Sequence, residues 1–573
     1  MDETTAIRLP EDPQEAQKAF RSLPFRDQLE MVLRQRGKER LQTLFLSEHP
    51  EELVTALPEQ EVFFTVKEVG ERDCLDLIAL TTPEQFQYLL DLEFWKRDQL
   101  DPEKVLHWIE ILLESGEKKV AQFLRTTDLE FIVLLLKKFL RVALWEGELT
   151  EQMDRLPPFT LDQFYFIQFK GVGAREVLEP FLRAFHRIDP DGYRRAMEAL
   201  LYELESELEE TGYRLRNGRL NDYGFPDFEE ALEIYQYVSP ESIAKEVRTP
   251  SKPIEPSRRE GSFYYLTFQD EGPFFSRVLS RIDHPEELDR LKLELTSLCN
   301  KAIVAEAIDL SNLAGMERAV KKAYHYLNLG LQYLSQEEEG KATEVLRSLP
   351  LLKIFQCGVS LTLRLRRKAQ TILNGSWLEG DRESLILLDP PHFETMEGLL
   401  RKRPSFYRNG IHDDFRDLRD LSAMEQFLES IEAVLSFFKG TLPITPRSLK
   451  TMDLSGCLPE RWEEITLSTI LLTALANQIL QARFQFEPVE RGRLGELLAY
   501  LFERDAGGEG ILKGEVRHGL VHFLQSVNPN PQEGPHLADF LDFSLNLLQE
   551  GFGKIPAGEE IDPRFVKGLL IRL

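Results

Sequence analysis

The sequence predicts an all-α fold with at most a few short strands. Apolar residues recur at spacings of three and four along most of the chain, which is the period of an amphipathic helix. Several helix starts are marked by a capping side chain followed by proline and acidic or amide residues, as in Thr82-Pro83-Glu84-Gln85 and Asp101-Pro102-Glu103. Strands and helices do not alternate, so a parallel α/β sheet is not supported.

The N-terminal third is predicted to be a stack of short helices. Residues 1–23 have the composition of a flexible tail, and residues 24–150 follow as successive amphipathic stretches with recurrent capped starts. The run Leu129–Trp145 is apolar on most sides and is expected to be the most buried of these helices. Short helices in irregular succession favour an α-superhelix rather than a repeat of fixed period.

Residues 151–247 are predicted to form a helical domain with one short strand at most. The run Phe164–Phe169, FYFIQF, is typical either of a strand or of an aromatic-rich helix. The helix that follows around Tyr193 is predicted to stop at Gly212, because glycine is the usual left-handed residue after a helix end.

A proline-rich linker is predicted at 248–262, where the sequence RTPSKPIEPSRREGS lacks apolar periodicity. We expect this linker to separate units that fold independently. Residues 263–389 then read as a bundle of long helices, and residues 390–573 as a C-terminal helical domain. The long helices of the bundle are predicted at 288–309, 317–334, 340–349 and 352–373.

Composition and charge restrict the classes of partner. With 42% hydrophobic and 29% charged residues, the chain has the make-up of a globular protein. Its net charge of −27 argues against nucleic acid and anionic membranes, because both are polyanions that require a concentrated basic surface. The predicted partners are therefore other proteins, in particular basic ones.

The chain is expected to be cytoplasmic and not inserted in a membrane. Its N-terminus lacks the basic start and apolar core of a signal peptide. The charge-free stretch Ile465–Ala482 contains several Thr, Asn and Gln residues and is expected to be a buried helix rather than a membrane span. The widely spaced Cys74, Cys299, Cys357 and Cys457 fit neither a CxxC motif nor a disulfide framework.

The best candidate for a metal site is Glu515, His518 and His522, in GEVRHGLVHFL. Their spacing places all three on one face of a helix, and carboxylate with imidazole is suitable zinc ligation. The helical wheel sets them opposite the apolar stripe, so the alternative is a polar outer face. The residues identify no cofactor, and a divalent metal remains the open alternative.

A second acidic cluster lies in GIHDDFRDLRDL, near His412. Asp413, Asp417 and Asp420 are predicted to share a helical face, which suits either a hard cation or a helix laced with ion pairs to the interleaved arginines. The sequence favours the ion-paired helix.

The N-terminal stack resembles two cytosolic superhelical modules. The residues that carry the resemblance, within about 44–145, are FLSEHPEELVTALPEQEVFFTVKEVGERDCLDLIAL and TPEQFQYLLDL. They are similar to the N-terminal domain of MgtE-type magnesium channels and the middle domain of the flagellar motor switch protein FliG. The full-length pattern is similar to an uncharacterised bacterial family without assigned activity.

The resemblance points to a partner-docking helix. The flagellar family carries Glu-His-Pro-Gln there, and Glu48, His49 and Pro50 match it while Glu51 replaces Gln. The alternative is an ordinary helix start at which His49 caps or packs locally. The membrane portion of the channel family is not recognisable, so the resemblance does not imply transport.

The sequence therefore predicts a cytosolic helical scaffold or adaptor that binds other proteins. Candidate contacts are Glu48, His49, Pro50 and Glu51 with the aromatic anchors Phe63, Phe64 and Trp95, although the three aromatics also fit a plain core position. The alternative function is a metal-dependent enzyme or metal-sensing regulator that uses Glu515, His518 and His522. Sequence spacing does not show whether distant residues assemble a catalytic site. The sequence also does not indicate an activity or an oligomeric state.

Overall fold

The structure is a computed structural model that describes residues 10, 12–96, 98–144, 159–171, 173–247, 262–504, 510–552 and 561–573. The described residues are mainly helical, with a few small sheets, as the sequence predicts. The chain divides into two compact units, Met1–Gly358 and Val359–Leu573.

The described part of the first unit contains α1 to α19 and the start of α20. The helices are α1 Pro13–Arg21, α2 Phe25–Arg34, α3 Gly37–Leu44, α4 Pro50–Ala56, α5 Glu59–Val69, α6 Leu75–Leu80, α7 Pro83–Glu93, α8 Pro102–Glu114, α9 Glu117–Thr126, α10 Leu129–Lys137, α11 Ala174–Ile188, α12 Pro190–Tyr202, α13 Glu205–Asp222, α14 Phe228–Leu232, α15 Pro240–Glu246, α16 Pro273–Leu279, α17 Pro285–Ala305, α18 Leu313–Ser335, α19 Glu339–Ser348 and α20 Leu351–Gly375. The strands are β1 Trp95–Lys96, β2 Gln99–Leu100, β3 Leu140–Leu144, β4 Phe159–Thr160 and β5 Tyr165–Phe169. Strands β1 and β2 form a hairpin, and the others form an antiparallel sheet in the order β3-β5-β4.

Two capped helix starts follow the sequence closely. Thr82 and Gln85 form a reciprocal capping box at the start of α7. Asp101 accepts hydrogen bonds from two backbone N–H groups at the start of α8. Each start satisfies amide groups that the helix cannot bond internally, which fixes where the helix begins.

Two predictions about local structure in the first unit, for the N-terminal tail and for the Leu129 run, need correction. The flexible tail predicted for 1–23 does not extend over Pro13–Arg21, which form α1 and bury Phe20. The apolar run from Leu129 is helical only to Lys137 and then becomes β3. Short apolar runs do not distinguish helix from strand, and here the pairing of β3 with β5 decides the outcome.

Gly212 does not end a helix. The predicted helix around Tyr193 breaks at residues 203 and 204, and α13 then runs through Gly212 to Asp222. A Cβ atom at Gly212 would lie 2.8 Å from the Leu134 side chain on α10. The glycine therefore allows α13 to approach α10 closely, which is a tertiary requirement rather than a capping role.

The long helices of the bundle agree well with the periodicity. Helices α17, α18, α19 and α20 each begin and end within a few residues of the predicted ranges. The run Phe164–Phe169, for which strand and helix were both open, forms β5 from Tyr165 onward.

The predicted linker falls outside the described residues except for Ser262. The residues that flank it belong to the same compact unit. The rings of Phe64 and Tyr264 stack with centroids 3.6 Å apart. The buried carboxylate of Glu61 accepts hydrogen bonds from Ser262 Oγ at 2.6 Å and Tyr264 N at 3.1 Å. The domain limits drawn from the sequence remain predictions.

The second unit completes α20 and adds shorter elements. Its helices are α21 His392–Leu400, α22 Leu418–Thr441, α23 Pro446–Lys450, α24 Leu467–Gln481, α25 Leu494–Leu501, α26 Gly514–Val527 and α27 Gly534–Phe552. Its strands are β6 Phe406–Arg408, β7 Ile411–Asp413, β8 Cys457–Leu458, β9 Val489–Glu490, β10 Phe502–Arg504, β11 Gly510–Leu512 and β12 Ile571–Arg572. Strand β12 lies between β8 and β9, while β6–β7 and β10–β11 are hairpins.

The charge-free stretch that begins at Ile465 forms α24, and most of that helix is buried. In the described part of the chain, every helix is too short or too polar to traverse a lipid bilayer.

Candidate functional site

The Glu48-His49-Pro50-Glu51 motif forms an open helix start in the first unit. Pro50 is the first residue of α4, where its missing N–H has no cost, and His49 stands at the N-cap position without a side-chain cap bond. The His49 Nδ1 and Glu51 Oε1 atoms are 3.3 Å apart, and their side chains are 64% and 55% exposed. Glu48 and Glu52 are also exposed. The imidazole and these carboxylates are therefore accessible to another molecule.

The three aromatic anchors predicted for a partner are core residues instead. Phe63, Phe64 and Trp95 are all buried. Phe63 and Phe64 lie on α5, which packs between α3 and α7, and Phe64 stacks on Tyr264 of the same unit. For Phe63 and Phe64 the cause is that a helix enclosed by others directs its largest apolar side chains into the core. Trp95 lies on β1 and packs against Tyr213 of α13. These three side chains, which the sequence predicts to contact a partner, instead contact other residues of the first unit.

Two other phenylalanines, which the sequence analysis missed, supply exposed apolar surface near the motif. Phe25 at the start of α2 is 45% exposed, and Phe45 directly after α3 is 36% exposed. The turns that carry them lie against each other, since Arg21 Nε donates to the Leu46 carbonyl oxygen at 3.0 Å. We call the resulting region the paired-turn surface. It consists of Phe25, Phe45, Glu48, His49, Glu51 and Glu52.

Periodicity could not have identified this surface. Phe25 lies seven residues before the buried Val32, which is the same position on a helical wheel, so the pattern places it in the core. Phe45 follows the last residue of α3, where the helical wheel no longer applies.

Charges are distributed unevenly over the paired-turn surface. Carboxylates occupy the α4 side, whereas the exposed Arg21, at the end of α1, and Arg26, in the first turn of α2, flank the surface on the other side. The N-terminus of α4 adds a weak positive field next to Glu51 and Glu52. The surface can therefore bind an apolar side chain between a strongly acidic side and a weaker basic side.

The predicted metal ligands are in the second unit. Glu515, His518 and His522 are exposed on α26, on the outer face that the helical wheel predicts. His518 Nδ1 lies 2.6 Å from the Gly514 carbonyl oxygen of the same helix. Among the described residues, no group of three or more His, Cys, Asp or Glu side chains is arranged to hold a metal ion. The three side chains therefore share a face of α26 without forming such a group.

The acidic cluster near His412 is held in ion pairs. Asp413 belongs to β7 and pairs with Arg416 at 2.6 Å, so it does not share a helical face with the other two aspartates as predicted. Asp420 pairs with Arg408 at 2.8 Å, and Asp417 caps the start of α22. Arginines therefore compensate Asp413 and Asp420, but Asp413 lies on β7 and Arg408 on β6, so these pairs are not those of the single ion-paired helix that the sequence favours.

The chain belongs to DUF6178, a protein family of unknown function, whose model matches residues 17–572. Neither a curated protein nor a solved structure matches the chain.

Proposed function

We propose that this protein is a helical scaffold that binds a segment of another protein at the paired-turn surface. The observation that carries the proposal is that two exposed phenylalanine rings lie on turns that touch each other, and that one of these turns leads directly into the exposed Glu-His-Pro-Glu helix start. Large exposed aromatic rings near a charged rim are typical of the anchors that dominate binding energy at protein interfaces.

The expected partner segment is amphipathic and basic. Its apolar side chains would cover Phe25 and Phe45, and burying the part of each ring that is still exposed contributes roughly 1 kcal/mol. Its Lys or Arg residues would face Glu48, Glu51 and Glu52. The net charge of −27 would also attract a basic segment before contact, and salt would weaken that attraction.

The resemblance to the flagellar switch module supports the same position. In that family the Glu-His-Pro-Gln motif marks a helix that docks a partner, and here Glu48, His49 and Pro50 occupy the start of α4. Glu51 in place of Gln adds a carboxylate, which favours a partner more basic than the one the motif implies.

The proposal can be tested with two synthetic peptides of identical composition, made from Leu, Lys and Gln. One has the order of an amphipathic helix and the other has a scrambled order. Fluorescence anisotropy at low salt should show that the full-length protein binds the amphipathic peptide at least tenfold more tightly. The double variant Phe25→Ser, Phe45→Ser should lose this preference, because the apolar anchors are gone.

A matched control distinguishes the surface from general stickiness. Phe228 is 49% exposed elsewhere in the first unit, so Phe228→Ser should leave peptide binding unchanged. Glu51→Lys should weaken binding at low salt and have less effect at high salt, since it changes an exposed charge. Equal binding of both peptides, or an equal loss in the Phe228 variant, would refute the docking proposal.

A further inference from the structure

Three polar side chains of the second unit meet between helix α21 and the β6–β7 hairpin. Ser405 Oγ lies 3.3 Å from His412 Nδ1. On the other side of the ring, His412 Nε2 lies 3.5 Å from Glu397 Oε2. Ser405 and His412 are half-buried, while Glu397 is more exposed. The order is therefore hydroxyl, imidazole, carboxylate.

The hairpin places these groups together. Its turn residues Asn409 and Gly410 both have positive φ, at 50° and 84°, as a two-residue turn with φ > 0 at both positions requires. The resulting register pairs Tyr407 with His412. Side chains two residues apart, and those directly opposite, lie on one face of an antiparallel pair. Ser405 and His412 therefore face the same side.

Helix α21 leaves room for the imidazole at a glycine. A Cβ atom at Gly398 would lie 2.9 Å from His412 Nδ1 and 2.9 Å from the Ser405 carbonyl oxygen. The Ser405 N–H also donates to the Gly398 carbonyl oxygen at 3.1 Å. The Ser405 backbone and the His412 ring thus both pack against Gly398. Glu397 is the residue that precedes this glycine in α21.

We infer that Ser405 is a nucleophile for acyl transfer, with His412 as its general base and Glu397 as the residue that positions the base. When His412 Nε2–H points to Glu397, Nδ1 is the acceptor and is directed at the Ser405 hydroxyl. A nucleophile within reach of a base, which is itself oriented by a third group, is the arrangement that activates serine. Arg401 Nη2 lies 3.9 Å from Glu397 Oε2, the same oxygen that faces His412.

The substrate class is a carboxylic ester. Ser405 Oγ would bond to the ester carbonyl carbon while its proton passes to His412 Nδ1. The bond from that carbon to the alcohol oxygen would then break, and the leaving alcohol would take the proton from His412. Water, deprotonated by the same imidazole, would release the acid and restore the serine.

The first experiment uses a fluorophosphonate probe on the full-length protein, with intact-mass and peptide mapping. We expect one adduct, at Ser405, which Ser405→Ala removes. His412→Asn should slow labelling at least tenfold, and Glu397→Gln should slow it by a smaller factor. Ser526→Ala is the matched control, since this exposed serine donates to the Phe523 carbonyl oxygen of its own helix and should not affect labelling.

The second experiment replaces the nucleophile, in case phosphonylation is sterically blocked. The thiol introduced by Ser405→Cys should react with iodoacetamide at least tenfold faster than the thiol introduced by Ser526→Cys, because His412 can take its proton. The four native cysteines are buried and should not compete. A labelling rate that does not depend on His412 would overturn the inference. So would the lack of both the Ser405 adduct and the faster alkylation of Ser405→Cys, in variants that keep the wild-type melting temperature.

Discussion

Lys119 is buried in the first unit. The acceptors that surround its side-chain nitrogen are uncharged. Its Nζ donates to Thr81 O at 2.7 Å, to Thr81 Oγ1 at 2.6 Å and to Gln122 Oε1 at 2.7 Å. It also lies 4.7 Å from the centre of the Phe86 ring. Burial lowers the pKa of Lys119 from its ordinary value of 10.5 to about 7, because the charged form loses hydration.

This lowered pKa predicts a pH-dependent stability. Between about pH 7 and 10.5 the unfolded chain binds more protons at this site than the folded chain, so the free energy of unfolding should rise with pH. Over this whole pH interval the free energy of unfolding should rise by on the order of 5 kcal/mol, since each unit of pKa shift corresponds to about 1.36 kcal/mol. Below pH 7 Lys119 is protonated in both the folded and the unfolded chain, so burial of its charge destabilises the fold by the full amount.

Lys119→Met should therefore remove a pH dependence that the wild type has. Melting curves from pH 6 to 10 should show that the wild type gains stability relative to Lys119→Met as pH rises. Lys118→Met, at the exposed neighbouring position, should follow the wild type. Parallel curves for all three proteins would show that Lys119 has an ordinary pKa.

At the scale of elements, α18 and α20 cross in direct backbone contact within the first unit. A Cβ atom at Gly330 would lie 2.0 Å from the Ile354 carbonyl oxygen, and one at Gly358 would lie 2.2 Å from the Tyr326 carbonyl oxygen. No side chain can relieve such overlap by rotating, because the obstructing atoms belong to the backbone. The two glycines thus allow the helices to approach closely.

We expect Gly330→Ala to force the helices apart and to destabilise the first unit by roughly 3 kcal/mol or more, as backbone displacement in a packed interior does. Gly340→Ala in α19 is the matched control, since a Cβ there meets no atom within 4 Å. It should stabilise by about 0.5–1 kcal/mol through helix propensity. Urea midpoints measure both changes, and equal midpoints for the two variants would contradict the close crossing.

At the scale of the whole molecule, residues 248–261 connect two parts of one compact unit. The stack of Phe64 on Tyr264 and the hydrogen bonds from Ser262 and Tyr264 to Glu61 join the two sides. Arg40, itself buried, lies 2.7 Å from the other Glu61 oxygen and balances its charge. Separating the two sides would expose the stacked rings and remove the donors of Ser262 and Tyr264 from the buried Glu61 carboxylate, so these contacts should outlast a cut in the connecting chain.

A specific protease site inserted after Ile254 tests this expectation. After cleavage, the two fragments should still elute together from gel filtration at micromolar concentration. The Glu61→Ala, Phe64→Ala variant, cut in the same way, should separate, because it lacks both the hydrogen bonds from Ser262 and Tyr264 to Glu61 and the aromatic stack. Separation of the cut wild type would instead support the independent units that the proline-rich sequence predicts.

Helical class and many helix limits could be predicted because they depend on neighbours in sequence. The capping box at Thr82 and the cap at Asp101 are local hydrogen-bonding patterns, and periodicity locates α17 to α20 within a few residues. The polar outer face of α26, with Glu515, His518 and His522, also follows from the helical wheel.

The sequence by itself thus determined the helical class, many helix limits and the polar outer face of α26. Only the tertiary structure decided what those helices enclose and expose. It buried Phe63, Phe64 and Trp95, exposed Phe25 and Phe45, turned the end of the Leu129 run into β3 and used Gly212 for close packing. It also brought Ser405, His412 and Glu397 together. The physical reason is that burial and convergence depend on contacts between elements, whereas periodicity records only which face of one element is apolar.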